Sequence, residues 1–488
     1  MKTCKKSVFW MSLYITLITI TFIACDTKEE MLGDRIGDPM ADSVELANFY
    51  VGADLSYTSE LEKIGVKYTL GGEEMDVYSI FKTYGANMVK LRLWNSPIND
   101  KPANMEGLVE SAHRVQSAGM SLLIDLYYSD SWTVTEKNTA PAAWTSIVNV
   151  PEVMADSVYK YTYNTLMELE ERGITPAAVQ IGANCDENVL VLNSNHSDPL
   201  DVKRNVMLLN ASVKAINDFN KKCGVDVKSV LCMALENVDV LKLMDNYKEA
   251  GLYFFDVLGV SYYPQLYVYS IEQVRRVASD LYKKYGVRLL LSETGCIWTK
   301  RWNDESPNLL NTTPKLAPDV ASPHLQRHFF LELKRVMKEN YGYGVLAWEP
   351  EWVSSQKRTR WGVGSSVENA AFFDFNNEVL LNGGMDFLND NNGRVTFSVD
   401  MSGAGENKKG YITGSFTDDG AGKWSILPME RIGDTDVYIF KTYMSYNQTL
   451  KYYYLSDSTW TSKERMIREC TLPYGVKIAK RADVWNVE

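Results

Sequence analysis

The chain repeatedly runs from an apolar, β-prone stretch into a few polar, acidic or aromatic residues, and chemistry would sit at those junctions. In order they bring up Asp54, Arg92 with Trp94, Asp125 with Tyr127 and Tyr128, the loop 183–188, Glu236 with Asn237, Tyr262 with Tyr263, Glu293, and Trp348 with Glu349. Carboxylates and amides bond sugar hydroxyls, and flat rings pack the C–H faces of pyranoses, so this mixture suits a carbohydrate cleft. One junction, AVQIGANCDENVLVLN at 178–193, places several polar side chains in a row. Which of them could deliver a proton decides whether such a cleft reacts or only binds.

The elements that must position these residues are legible as a pattern. Strand candidates are FYVGADL (49–55), NMVKLRLW (87–94), SLLIDLYY (121–128), AAVQIG (177–182), SVLCMAL (229–235), VLGVSYY (257–263), VRLLLSE (287–293) and GVLAWEP (344–350). Helical periodicity marks the segments between them, among them 153–171, 202–219, 271–285 and 325–340. Near-continuous apolar strands alternating with helices imply a parallel sheet covered on both faces, and eight such units fit a (β/α)8 TIM barrel. In that fold reacting groups lie at the C-terminal ends of strands, where the residues above fall.

Past Phe375 the pattern changes to GRVTFSVDMSG, KGYITGSF, DVYIFKTYM and QTLKYYYL, separated by turn-rich stretches. This predicts a small antiparallel β-sandwich. Its aromatics, Trp424, Tyr452, Tyr453, Tyr454 and Trp460, fit either alternate core positions or an exposed pair stacking on a sugar.

Composition sets the remaining bounds. With 488 residues, 45% hydrophobic and 12% aromatic, the chain can bury one large core and a smaller one. A net charge of -11 argues against a nucleic-acid partner, which would require a basic stripe. The start, MKTCKKSVFWMSLYITLITITFIAC, has the basic and then apolar order of a secretory signal. Its ending Phe22-Ile23-Ala24-Cys25 resembles a bacterial lipobox with Cys25 as the lipidated residue. The following Asp26-Thr27-Lys28-Glu29-Glu30 resembles the acidic tag of Bacteroides-type surface lipoproteins. The expected division is a signal peptide at 1–24, a tether at 25–43, the barrel at 44–380 and the sandwich module at 390–488. No cofactor or metal motif is visible: the cysteines other than Cys4 and Cys25 lack paired spacing, and Leu325 follows His324 where a zinc motif needs glutamate. His324 and His328 therefore read as helix surface.

The motifs VGADLSYTSELEKIGVKYTLGGEE, GANMVKLRLWNSP, AGMSLLIDLYYSDSW with PAAW, TPAAVQIG, FDVLGVSYYP, SETG, and VLAWEPEWV with GSSVENAAFFDF follow in order over about residues 50–375. On them the chain resembles the endo-β-1,4-galactanases, also called arabinogalactan endo-β-1,4-galactanases, of glycoside hydrolase family 53. The C-terminal module is similar, more loosely, to starch-binding modules. The resemblance implies a retaining enzyme with glutamates ending strands four and seven, their carboxyls about 5–5.5 Å apart. Ser292-Glu293-Thr294 matches the family's nucleophile segment, which assigns Glu293 to that position. Family members read V-Q-[VI]-G-N-E at strand four, whereas this chain reads Val179-Gln180-Ile181-Gly182-Ala183-Asn184. Aligned without a gap, the acid/base position is Asn184, which cannot protonate a leaving alkoxide. General acid catalysis is worth about 10²–10⁴-fold. Sliding three residues would instead offer Glu187 as the acid.

Candidate substrate contacts, from the strand ends and from positions that match the family, are Asp54, Arg92, Trp94, Asp125, Tyr127, Tyr128, Asn237, Tyr262, Trp298, Trp348, Glu368 and Asn369, with Trp424 and Trp460 as module aromatics. The chain departs from the family at Tyr127, where a histidine is usual, at Val367 and at Cys296-Ile297. The expected function is a surface lipoprotein that holds β-1,4-galactan or a related pectic glycan in a galactanase-like barrel. It would be anchored in the outer membrane through Cys25, facing the exterior, and feed a glycan-uptake complex. The alternatives are an active retaining galactanase using Glu293 and Glu187, and a structural or adhesion protein without glycan contact.

Overall fold

A computed structural model describes residues 48–96, 103–130, 138–182, 184–192, 198–235, 239–266, 270–314, 320–359, 362–406, 408–418 and 422–485. Eight parallel strands close into a barrel: β1 (Tyr50–Asp54), β2 (Met88–Leu93), β3 (Ser121–Leu126), β4 (Ala178–Ile181), β5 (Lys228–Ala234), β6 (Val257–Tyr262), β7 (Arg288–Thr294) and β8 (Gly344–Trp348). Each falls on its predicted run, with β5 starting one residue before it at Lys228 and β7 ending one residue past it at Thr294. β1 pairs with both β2 and β8, which closes the ring. Gly52 allows that closure, since a Cβ there would sit 1.7 Å from the Met88 carbonyl oxygen.

The outer layer is α1 (Thr58–Lys63), α2 (Val77–Tyr84), α3 (Met105–Ser117), α4 (Pro151–Glu171), α5 (Val202–Cys223), α6 (Val240–Glu249), α7 (Ile271–Tyr285) and α8 (Pro323–Glu339). Local chemistry fixes their ends. Ser270 and Gln273 form a capping box on α7, and Ser322 caps α8 with Pro323 in its first turn. After β8 a short 3-10 turn, Gly384–Leu388, packs on α8 in the place of a helix following the last barrel strand.

The C-terminal region is two four-stranded sheets. One has the order β12 (Glu430–Arg431), β13 (Val437–Ser445), β9 (Asn392–Asp400), β16 (Ile478–Val484); the other is β11 (Leu427–Pro428), β10 (Tyr411–Gly414), β14 (Thr449–Leu455), β15 (Arg468–Thr471). β9 alternates buried and half-buried residues along its whole length, as a strand with one face on a core must. The antiparallel expectation holds except at β16, which returns parallel to β9. Tyr452 and Tyr454 are core, while Tyr453 faces outward under Lys463.

The surface reading of His324 and His328 is overturned. Their spacing of four residues puts both on the face of α8 that the sandwich covers. His324 Nε2 lies 3.0 Å from Thr442 Oγ1, and the two rings pack on Phe416 and Tyr443. Burial pushes both imidazoles below their usual range. Arg327 reaches Ser445 Oγ at 2.8 Å and Tyr443 donates to Glu332 at 2.7 Å, so polar bonds cross the same seam. A polar helix stripe looks solvated in sequence, and only the second domain shows what covers it.

Candidate functional site

The barrel interior is built in layers, because alternate residues of each strand point inward. Met88, Leu123, Ala178, Val230, Val257, Leu290 and Leu346 form an apolar floor. Two residues further along β2 comes Lys90, fully buried. Its ammonium lies 2.7 Å from Glu293 Oε1, 3.1 Å from Asp125 Oδ2 and 3.4 Å from Asp54 Oδ2. Burial disfavours the charged lysine, yet the fields of Glu293, Asp125 and Asp54 outweigh it and hold the ammonium protonated. One cation does not neutralise three acids. Burial, helped by Glu293 and Asp54 and opposed by Lys90, pushes the Asp125 carboxyl up to about 6.

Glu293 reaches this cluster through an irregularity in β7. Leu290 and Ser292 lie on the inward side, so strict alternation would send Glu293 to the helix layer. The register slips by one residue between Val260 and Ser261, so that Ser261 faces Glu293 rather than Ser292. Such a bulge re-aims one side chain without ending the strand. Ser261 then donates to Glu293 Oε2 at 3.1 Å, and the Glu293 side chain keeps 18% exposure, against 0–2% for Asp125 and Asp54. It is the one acid of this cluster that a ligand could touch.

A second charged group lies beside the first. Arg92, stacked over Tyr57 and Trp94, bonds Glu349 at 3.0 Å. Glu349 and Glu351 both accept from the Tyr57 amide at 3.2 Å. Both are buried. Desolvation first, and Asp54 second, raise Glu349 well above its usual range and Glu351 up to about 8. Glu349 also holds φ 45°, a left-handed backbone uncommon for a non-glycine. Strained positions of this kind gather at functional sites. Lys90 and Glu351 were not singled out from sequence, although a lysine at an inward position of an otherwise apolar strand was a usable signal.

The β4 end is built differently. Gly182 and Asn184 take left-handed φ values of 71° and 49°, turning the chain sharply as the strand ends. The Asn184 backbone N–H bonds the Cys232 thiol, which in turn feels the Glu293 charge. The backbone of Asn184, a half-buried residue, therefore lies near the Glu293 cluster. The chain then leaves it. Cys185 donates to the Cys232 carbonyl at 2.8 Å, and Asp186 accepts from the Ala234 amide at 2.9 Å. The Glu187 carbonyl is held by Asn205 of α5 at 2.6 Å, and Tyr247 of α6 donates to the Cys185 carbonyl. The backbone of 185–187 is thus tied to the helix layer.

The aromatic candidates divide. Trp348 is half-buried at the mouth, with Tyr263 set edge-on at 6.4 Å. Tyr262, expected in the cleft, is fully buried and stacks on Phe329 of α8, because alternation turns it outward and Tyr263 inward. Tyr128 is likewise placed in the helix layer, donating to Ser212 at 2.9 Å and lying 2.7 Å from Thr162. Tyr127 and Trp94 form a small buried cluster with Ala103, and burial together with the charges of Glu293 and Asp125 pushes the Tyr127 phenol up. Trp298, Glu368 and Asn369 are buried and clamp the loop after β7. The Trp298 indole donates to the Glu368 carbonyl at 3.3 Å, Glu368 accepts from the Asn303 amide at 2.7 Å, and Asn369 donates to the Leu310 carbonyl at 2.6 Å. These three support a loop rather than offer a stacking face. Trp424 is half-buried and Trp460 is 41% exposed on the module. Asn237 and Cys25 lie outside the described residues.

A closed parallel barrel carrying an accessible carboxylate and facing rings at the C-terminal ends of its strands defines a protein of the glycoside-hydrolase barrel class. Within that class, residues 50–383 match the model for glycosyl hydrolase family 53, and the chain belongs to that family. It is 37% identical over 328 residues to an arabinogalactan endo-beta-1,4-galactanase of Cellvibrio japonicus, covering 67% of this chain and 86% of that protein. An endo-beta-1,4-galactanase of Bacillus subtilis is 25% identical over 417 residues, covering 74% and 91% of the two chains. Among solved structures, the Ignisphaera aggregans GH53 catalytic domain superposes with a TM-score of 0.63 at 26% identity, covering 71% of this chain and 97% of that one.

Proposed function

We propose that this barrel binds β-1,4-galactan or a related pectic glycan and does not turn it over. The observation that carries the reading is the asymmetry around Glu293. Among the described residues, Asp54 and Asp125, the acids clustered with Glu293, are buried and bound to Lys90, and the family's acid/base position aligns without a gap on Asn184 at the β4 end. An amide there can hydrogen-bond a glycosidic oxygen but has no proton to give. Glu187, the alternative acid, follows a backbone tied to α5. Galactan as the ligand rests on the family and on what its relatives are named for. The lipobox-like Cys25 supports anchoring at the outer membrane with the barrel outward, where a binder would hand glycan to an uptake complex.

The test pairs two assays on purified protein. Affinity electrophoresis in β-1,4-galactan should retard the wild type, and incubation with galactan should release no reducing ends. Endo-hydrolysis that disappears in Glu293→Gln would overturn the binding-only reading and make the protein an active retaining galactanase with Glu187 as the acid to examine. Retardation absent on every pectic glycan would favour the structural alternative.

A further inference from the structure

A second site lies away from the barrel mouth, in the seam between α8 and the sandwich. A cavity of about 470 Å3 opens there, and its walls carry Lys334, Arg335, Lys338, Arg394 and Lys477 against only Glu339 and Asp390. That is a local excess of positive charge in a chain of net charge -11. The acids are already engaged: Asp390 lies 2.7 Å from Lys334 and 3.2 Å from Lys338, while Arg335 is held by Glu339 at 2.6 Å and by Glu332 at 2.8 Å.

Arg394 and Lys477 have no acidic partner among the described residues. Arg394 lies on β9 and Lys477 directly precedes β16, and the Arg394 amide donates to the Lys477 carbonyl at 2.8 Å. Arg394 Nε is buried with no hydrogen-bond partner. A buried guanidinium nitrogen left without an acceptor is costly, and the usual remedy is an anion. Arg394 also borders a neighbouring cavity of about 420 Å3.

The rim supplies the other half of the recognition. Tyr446 lines the cavity, and Tyr474, 76% exposed, sets its ring edge-on to Tyr446 at 5.4 Å. Flat guanidinium forks suit carboxylates, and tyrosine faces suit the C–H side of a sugar ring. A volume of this size is in the range that takes a small ligand. We propose that this cavity binds a carboxylated sugar, a uronate residue of an acidic glycan, with Arg394 and Lys477 on the carboxylate and Tyr446 and Tyr474 against the ring.

Calorimetry on the full chain tests it with trigalacturonate, its carboxyl-reduced trimer and inorganic phosphate as probes. Trigalacturonate should bind, weaken as salt is raised, and lose about tenfold in affinity in Arg394→Ala and in Lys477→Ala. Lys477 is exposed, so its variant keeps the fold; β-1,4-galactan retardation by Lys477→Ala should match wild type. That separates failure here from failure of the barrel reading. Equal binding of the reduced trimer or of phosphate, no binding of trigalacturonate, or unchanged affinity in Lys477→Ala would each overturn the proposal.

Discussion

The two halves of the barrel mouth are built to different standards. At the β7 end, a bulge turns Glu293 inward, Lys90 of β2 and Ser261 of β6 hold it, and Asp54 of β1 and Asp125 of β3 share its cation. At the β4 end, the chain turns in the left-handed region at Gly182 and Asn184 and then ties its backbone to the helices. A carboxylate embedded in an ion cluster is hard to remove, because a buried cation depends on it. A donor at the head of a loop has no such dependants, so it can be lost without disturbing the fold. Retention of Glu293 is therefore weak testimony for catalysis.

The largest expected effect probes the β7 side. Lys90→Met leaves buried carboxylates without their cation and should cost about 3–5 kcal/mol in urea denaturation. A loss under about 1 kcal/mol would mean that the cluster does not hold this end together, and the contrast would fail.

A pH series comes next. Folded Asp125, pushed up to about 6, holds its proton more tightly than the unfolded chain does near 3.9, so folding loses stability as pH rises between those values. Wild type should fall relative to Asp125→Asn by on the order of 2 kcal/mol from pH 4 to pH 6 and then level off. A difference that stays flat, or rises, would contradict the acid-rich cluster.

Trp348→Ala should weaken galactan affinity about tenfold with little change in unfolding, since its ring faces the mouth. Trp298→Ala, by contrast, should act mainly on stability. Identical effects of both on affinity at matched folding would erase the division between mouth and clamp. Smallest of all, Glu293→Gln should change galactan affinity by less than about threefold, because the amide retains hydrogen-bonding capacity.

Much of the fold was legible because its signals are local. Eight apolar runs mark the strands, and Ile271–Tyr285 carries its own capping box and a buried face. The site was legible only in part. Glu293 could be assigned by its Ser-Glu-Thr setting, but whether it faces in or out depends on a one-residue slip against β6 that no local pattern encodes. Tyr262 and Tyr263 were interchangeable in sequence for the same reason: period-two alternation fixes opposite faces and leaves open which face is the cleft.

By itself, then, the sequence determined the eight-fold βα order, the polar character of the strand ends and the family. Tertiary structure alone decided that Lys90 gathers Asp54, Asp125 and Glu293, residues far apart in the chain. It alone decided that Trp298 and Tyr262 are buried supports, and that α8 with His324 and His328 lies under the sandwich. The reason is physical. Strand and helix identity follow from contacts within a few residues, whereas charge pairing, burial and facing are properties of neighbours brought together only when the barrel closes and the second domain docks.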